Sequence, residues 1–144
     1  MQSGCGMTCL ISHPPPEAKA FELNGLSILV VEDSWDVGAG LKMLLEAWGA
    51  DVLGPVATVA DAERVAVERH PNVAIVDINL RRGERSYGLI NRLQDQGIRV
   101  VVLTGYAGAS VQPGTADAVL QKPMKEDLLL ASLRRAAAHQ KGKA

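Results

Sequence analysis

The feature that most constrains the fold is a series of short apolar runs, each stopped by a polar residue and separated from the next by a longer amphipathic stretch. Leu26-Ser27-Ile28-Leu29-Val30-Val31 stops at Glu32-Asp33, and Val73-Ala74-Ile75-Val76 stops at Asp77. Ile98-Arg99-Val100-Val101-Val102-Leu103 stops at Thr104-Gly105, and Ala118-Val119-Leu120-Gln121 at Lys122-Pro123. Runs that are apolar on nearly every residue suit strands covered by helices on both faces. Their alternation with helical periodicity is the pattern of stacked βαβ units around a parallel sheet. Five such units can be counted.

The stretches between the runs carry their own signals. Val37, Leu41, Leu44, Leu45 and Trp48 fall on one face of a helix, and Gly49 follows where a helix C-cap belongs. Asp51 to Ala57 is a weaker strand, interrupted by Gly54-Pro55 and so expected toward a sheet edge. Thr58 is placed to cap a second helix that runs through Val65 to about His70. Leu89, Ile90 and Leu93 mark a third helix, and Leu129, Leu133, Ala136 and Ala137 trace the apolar face of the last one. Between Tyr106 and Ala116, Pro113-Gly114 breaks any helix that starts there, so a fourth helix is expected to be short or irregular.

A chain of 144 residues, 47% hydrophobic and 22% charged, can bury one core of ordinary size. We expect a flexible leader over residues 1–24, one folded domain over 25–138 and a frayed C-terminus over 139–144. A net charge of −1 without a Lys/Arg run gives nothing to attract nucleic acid. No apolar stretch reaches the roughly 20 residues that span a bilayer, and the N-terminus lacks the pattern of a signal peptide, so a cytoplasmic location is expected. Cys5 and Cys9 form no disulfide framework. With His13 they lack the fourth ligand that zinc requires, and an unstructured tail is the preferred reading.

In an open parallel α/β sheet, ligands bind outside the carboxyl ends of the strands. Glu32, Asp33, Asp77, Thr104 and Lys122 all fall at that edge. Three carboxylates gathered there repel one another unless one holds its proton or a cation joins them. Mg²⁺ prefers oxygen ligands, keeps several waters and commonly bridges carboxylates to a phosphate. Asp33 and Asp77 are expected as direct side-chain ligands, Glu32 as a ligand through water, and Asn79 as a backbone-carbonyl ligand. Asp77 is then the natural nucleophile for phosphoryl transfer, with Lys122 and Thr104 binding the phosphoryl oxygens.

At this point the chain resembles a known family. Ile28-Leu29-Val30-Val31-Glu32-Asp33, Ile75-Val76-Asp77-Ile78-Asn79-Leu80, Leu103-Thr104-Gly105-Tyr106 and Gln121-Lys122-Pro123 are similar to the four sequence blocks of response-regulator receiver domains. The resemblance covers about residues 25 to 138. It implies a (βα)₅ flavodoxin-like, doubly wound fold with strand order 2-1-3-4-5. It also implies phosphorylation on Asp77 by a sensor histidine kinase or a histidine phosphotransfer protein, Mg²⁺ as cofactor, and a cis peptide between Lys122 and Pro123. Gly54-Pro55 and the wording around Asp77 and Thr104 are most similar to single-domain receivers that serve HWE-type sensor kinases. Such a protein signals through protein contacts, with a homodimer among them, or acts as a phosphate sink. Such a protein is not a conventional enzyme but is expected to catalyse its own Mg²⁺-dependent phosphoryl transfer and dephosphorylation at Asp77.

Two departures from the family pattern stand out. An aromatic residue usually sits three positions before the lysine, where here there is Val119, and the interval from Thr104 to Lys122 is short. These motivate an alternative, an interaction module that is never phosphorylated; the intact acids, threonine and lysine oppose it. A small nucleotide or flavin enzyme is disfavoured because no Gly-rich phosphate loop follows the first strand. Taken singly, each acid would be a helix N-cap and Lys122 a solvated lysine. Trp35 is placed to flank the metal site, to serve as a partner anchor, or to pack partly on the helix start. Trp48 and Tyr87 are expected in or near the core, Tyr106 at the surface, Arg81, Arg82 and Arg85 in a solvated loop, and His70 without a role.

Overall fold

The computed structural model describes residues 22–78, 87–105, 116–122 and 125–142. Five strands, β1 (Ser27–Val31), β2 (Asp51–Val56), β3 (Val73–Asp77), β4 (Arg99–Thr104) and β5 (Ala118–Gln121), form one parallel sheet in the order β2-β1-β3-β4-β5. The described helices are α1 (Trp35–Ala47), α2 (Val59–Arg69), α3 (Tyr87–Asp95) and α4 (Glu126–Gly142). This is the flavodoxin-like order, in which the chain runs outward in both directions from β1. The expected fourth helix, Asn79, Tyr106, Arg81, Arg82, Arg85 and the Lys122–Pro123 bond lie outside the described residues.

Alternation along the strands divides the core into two layers. Ile28, Val30, Val73, Ile75, Val101 and Leu103 face α1 and α4, meeting Leu41 and Leu45 from α1, Trp48 just past its end, and Leu129, Leu133 and Ala136 from α4. Leu29, Val31, Ala74, Val76, Val100 and Val102 face α2 and α3, meeting Ala62, Ala66, Leu89, Ile90 and Leu93. Both faces of β1, β3 and β4 are therefore dry, which is why those runs are apolar throughout. The small Ala62 and Ala66 let α2 approach the sheet closely, while Trp48 fills the other layer.

Local signals account for the element ends. Thr58 Oγ1 accepts from the Asp61 amide at 3.2 Å, capping α2 as its hydroxyl predicts. Gly49, just past the end of α1, adopts φ of +94°, a conformation that costs other residues a Cβ clash. His70, read in the sequence as having no role, holds the left-handed position that ends α2. Leu23, assigned to the leader, is fully buried, and its amide donates to the Trp48 carbonyl at 2.8 Å. The last helix continues through Gly142, beyond the expected onset of fraying. No described helix is long and apolar enough to cross a membrane.

β2 lies at an edge, as its Gly-Pro pair predicted, but the pair has a specific geometry. Leu29 pairs with Leu53 and Val31 with Val56, so β2 carries an extra residue opposite the end of β1. Gly54 has φ of +95°, and a Cβ there would lie 2.9 Å from the Val30 carbonyl oxygen. The Gly54–Pro55 peptide is cis.

Candidate functional site

The carboxyl ends of the central strands bring the predicted acids together. Glu32 follows β1 and Asp77 ends β3; they are 3% and 5% exposed, and Thr104, which ends β4, is 4% exposed. Asp33 is half-buried. One carboxylate oxygen from each of Glu32, Asp33 and Asp77 lies within 4.8 Å of the others, a separation that one cation can span.

Lys122 enters from the far side of the sheet. Its backbone amide donates to the Thr104 carbonyl at 2.8 Å, extending the β4–β5 ladder by one bond. Its Nζ donates to Glu32 Oε1 at 2.9 Å and to Asp77 Oδ2 at 3.0 Å. Lys122 thus pairs with both Asp77 and Glu32, and the bond to Glu32 is one that strand-end reasoning missed. The Ser34 amide donates to Glu32 Oε2 at 3.2 Å, so both oxygens of Glu32 are engaged.

The electrostatics follow from this crowding. Burial, with Asp77 as a nearby hydrogen-bonding and negatively charged neighbour, pushes Glu32 up to about 7, against the opposing pull of Lys122 and the Ser34 amide. Burial alone would lower Lys122, but its hydrogen bonds to Glu32 and Asp77 and their negative charge outweigh that, and its pKa is raised. The ammonium is thus held charged between two buried acids. Chemically, the donor set is all hard oxygen with one fixed cationic side chain beside it, which suits a small divalent ion rather than zinc.

The response regulator receiver domain model matches residues 28–134. The chain belongs to that family. A receiver from Clostridium thermocellum shares the fold with a TM-score of 0.75 at 21% identity, over 83% of this chain and 99% of that one. The signal receiver domain of a modulated diguanylate cyclase from Desulfovibrio desulfuricans is 27% identical, with a TM-score of 0.70 over 83% of this chain and 98% of the other. In sequence, BvgA of Bordetella pertussis, described as a transcription regulator of virulence factors, is 31% identical over 80 residues. That match takes in 54% of this chain and 38% of BvgA, so the chain spans well under two thirds of that relative.

The other singled-out residues of this receiver divide clearly. Trp48 is buried and Tyr87 packs partly buried against the α2/α3 layer, both as expected. Trp35 is 78% exposed, so it does not pack on the start of α1. Val119, in place of the usual aromatic, is 46% exposed on the outermost strand.

Proposed function

We propose that this receiver accepts a phosphoryl group on Asp77 in a Mg²⁺-dependent transfer from a histidine kinase or a histidine phosphotransfer protein. The observation that carries this reading is the convergence of three carboxylates and the Lys122 ammonium at one sheet edge, with Asp77 held at 3.0 Å by that ammonium. Asp33 and Asp77 would hold the ion directly through their side chains and Glu32 through water, with the Asn79 carbonyl as the further ligand that the family resemblance implies. Bound Mg²⁺ supplies neutralisation of the carboxylates and of the incoming phosphoryl oxygens.

In the transfer, an Asp77 carboxylate oxygen attacks phosphorus in line with the phosphohistidine nitrogen. A P–O bond forms as the P–N bond breaks, and its electron pair leaves on the imidazole. Lys122 binds a phosphoryl oxygen as charge moves off the Asp77 carboxylate, and the Thr104 hydroxyl donates to another. Positioning and charge stabilisation provide most of the rate in such transfers, and the buried strand ends provide both. Gly54-Pro55 and the segments around Asp77 and Thr104 favour a kinase of the HWE type as donor. Output runs through protein contacts, with a second copy of the chain among the candidates, or the receiver serves as a phosphate sink in the cytoplasm.

Incubation with Mg²⁺ and a small phosphodonor tests the reading by intact mass. The wild type gains one phosphoryl group, and neither Asp77→Asn nor wild type in excess chelator does. No gain by the wild type would instead favour the unphosphorylated interaction module that Val119 suggests.

A further inference from the structure

We infer that Gly38 of α1 and Pro55 of β2 form a positioning device for Glu32, so that the edge strand, not only the central ones, sets the geometry of the metal site. Gly38 is buried in α1. A Cβ there would stand 2.9 Å from both Cβ and Cγ of Pro55, and 3.8 Å from Cγ of Glu32. The first two approaches are closer than carbon atoms tolerate, and a proline ring has no rotamer by which to withdraw. Helix α1 therefore rests directly on Pro55 because residue 38 has no side chain.

Pro55 is held from the other direction. It sits in the bulge where β2 gains a residue opposite the end of β1. The next carbonyl, Val56, accepts the Glu32 amide at 2.9 Å. Gly54, with φ of +95° and the Val30 carbonyl close above it, lets the strand make that turn. The result is a closed circuit. β2 holds the Glu32 backbone, Pro55 braces α1, and Gly38 of α1 borders the Glu32 side chain while the Ser34 amide, at the start of the same helix, binds its Oε2.

The sequence contains an internal control. Gly40 lies on the same helix, and a Cβ there would meet nothing within 4 Å. Gly40→Ala and Gly38→Ala gain the same helix propensity, but the second also drives α1 against Pro55.

The inference rests on the Mg²⁺ reading of the site and is tested by calorimetric titration of the full chain with Mg²⁺, alongside amide NMR shifts of Glu32 and Ser34. Gly40→Ala is expected to bind Mg²⁺ within about 2-fold of wild type, and Gly38→Ala about 10-fold more weakly, with shifts at Glu32 and Ser34 only in the latter. If Gly38→Ala does not fold, Pro55→Ala, which removes the brace without a clash, is expected to weaken Mg²⁺ about 3-fold. Equal affinity of wild type and the position-38 variant, equal losses at positions 38 and 40, or an unchanged Pro55→Ala where it stands in, would overturn the inference alone. A wild type that shows no saturable Mg²⁺ binding would overturn the metal site and the inference together.

Discussion

The centre and the outer edge of the sheet serve the same site by different means. β1, β3 and β4 are buried almost throughout and present Glu32, Asp77 and Thr104, each no more than 5% exposed. β5 alternates half-buried and exposed residues, has one described neighbour in the sheet, and is followed by Lys122. A strand locked between two others, with helices on both faces, has its end fixed by packing. Lys122 is instead located by its own bonds, one from its amide to Thr104 and two from its ammonium to the acids. In the proposed transfer the Asp77 carboxylate that this ammonium holds gains a phosphoryl group on one of its oxygens, so Lys122 is where the change in charge would first be felt.

That contrast can be broken at several points. The largest effect is expected from Asp77→Asn, which removes the nucleophile and should lower phosphoryl uptake by at least about 100-fold, measured by intact mass. Lys122→Ala leaves the three acids in place, so Mg²⁺ titration should still saturate while phosphorylation slows about 100-fold, the scale of one lost charge-stabilising donor. Unchanged kinetics would remove Lys122 from its role.

Stability should follow the same division. Leu133→Ala opens a cavity against the central strands and is expected to cost about 2–5 kcal/mol in denaturant unfolding, whereas Val119→Ala on β5 should change stability by under about 0.5 kcal/mol. Comparable losses at both positions would mean that the edge is as tightly determined as the centre.

A further effect comes from Glu32. Its folded-state pKa of about 7 lies above the 4.5 of an unperturbed glutamate, so the folded protein holds a proton there that the unfolded chain releases. Metal-free protein should therefore lose stability as pH rises from about 4.5 through about 7. Thermal melts between pH 5 and pH 8 should show that decline in wild type, a flatter profile in Glu32→Gln, and recovery when Mg²⁺ is added. Rising stability over the same range would contradict the burial argument.

Much of this was legible in the sequence because burial on both faces leaves an unbroken apolar run, as in β1, β3 and β4, and because a strand's last residue is marked by its change of chemistry. Asp77 and Thr104 prove to be the final residues of their strands, and β5 has the bounds its apolar run predicts. Less visible were contacts that depend on three-dimensional approach. The burial of Leu23 against Trp48, the Glu32–Lys122 bond and the seating of Gly38 on Pro55 each join residues far apart in the chain, and no periodicity encodes them. Gly54-Pro55 signalled an edge, but its support of Glu32 follows only from the extra residue opposite β1. The exposure of Trp35 was equally undetermined, since either face of the first turn of α1 agrees with the pattern.

Asp77, rather than Glu32 or Asp33 beside it, is the proposed acceptor of the phosphoryl group. Treatment of the Mg²⁺- and phosphodonor-loaded protein with borohydride reduces an acyl phosphate to the alcohol, and peptide mass mapping then locates the altered residue. Phosphorylation at Asp77 predicts homoserine at position 77 and unmodified Glu32 and Asp33. A reduced side chain at position 32 or 33, or none anywhere, would contradict it.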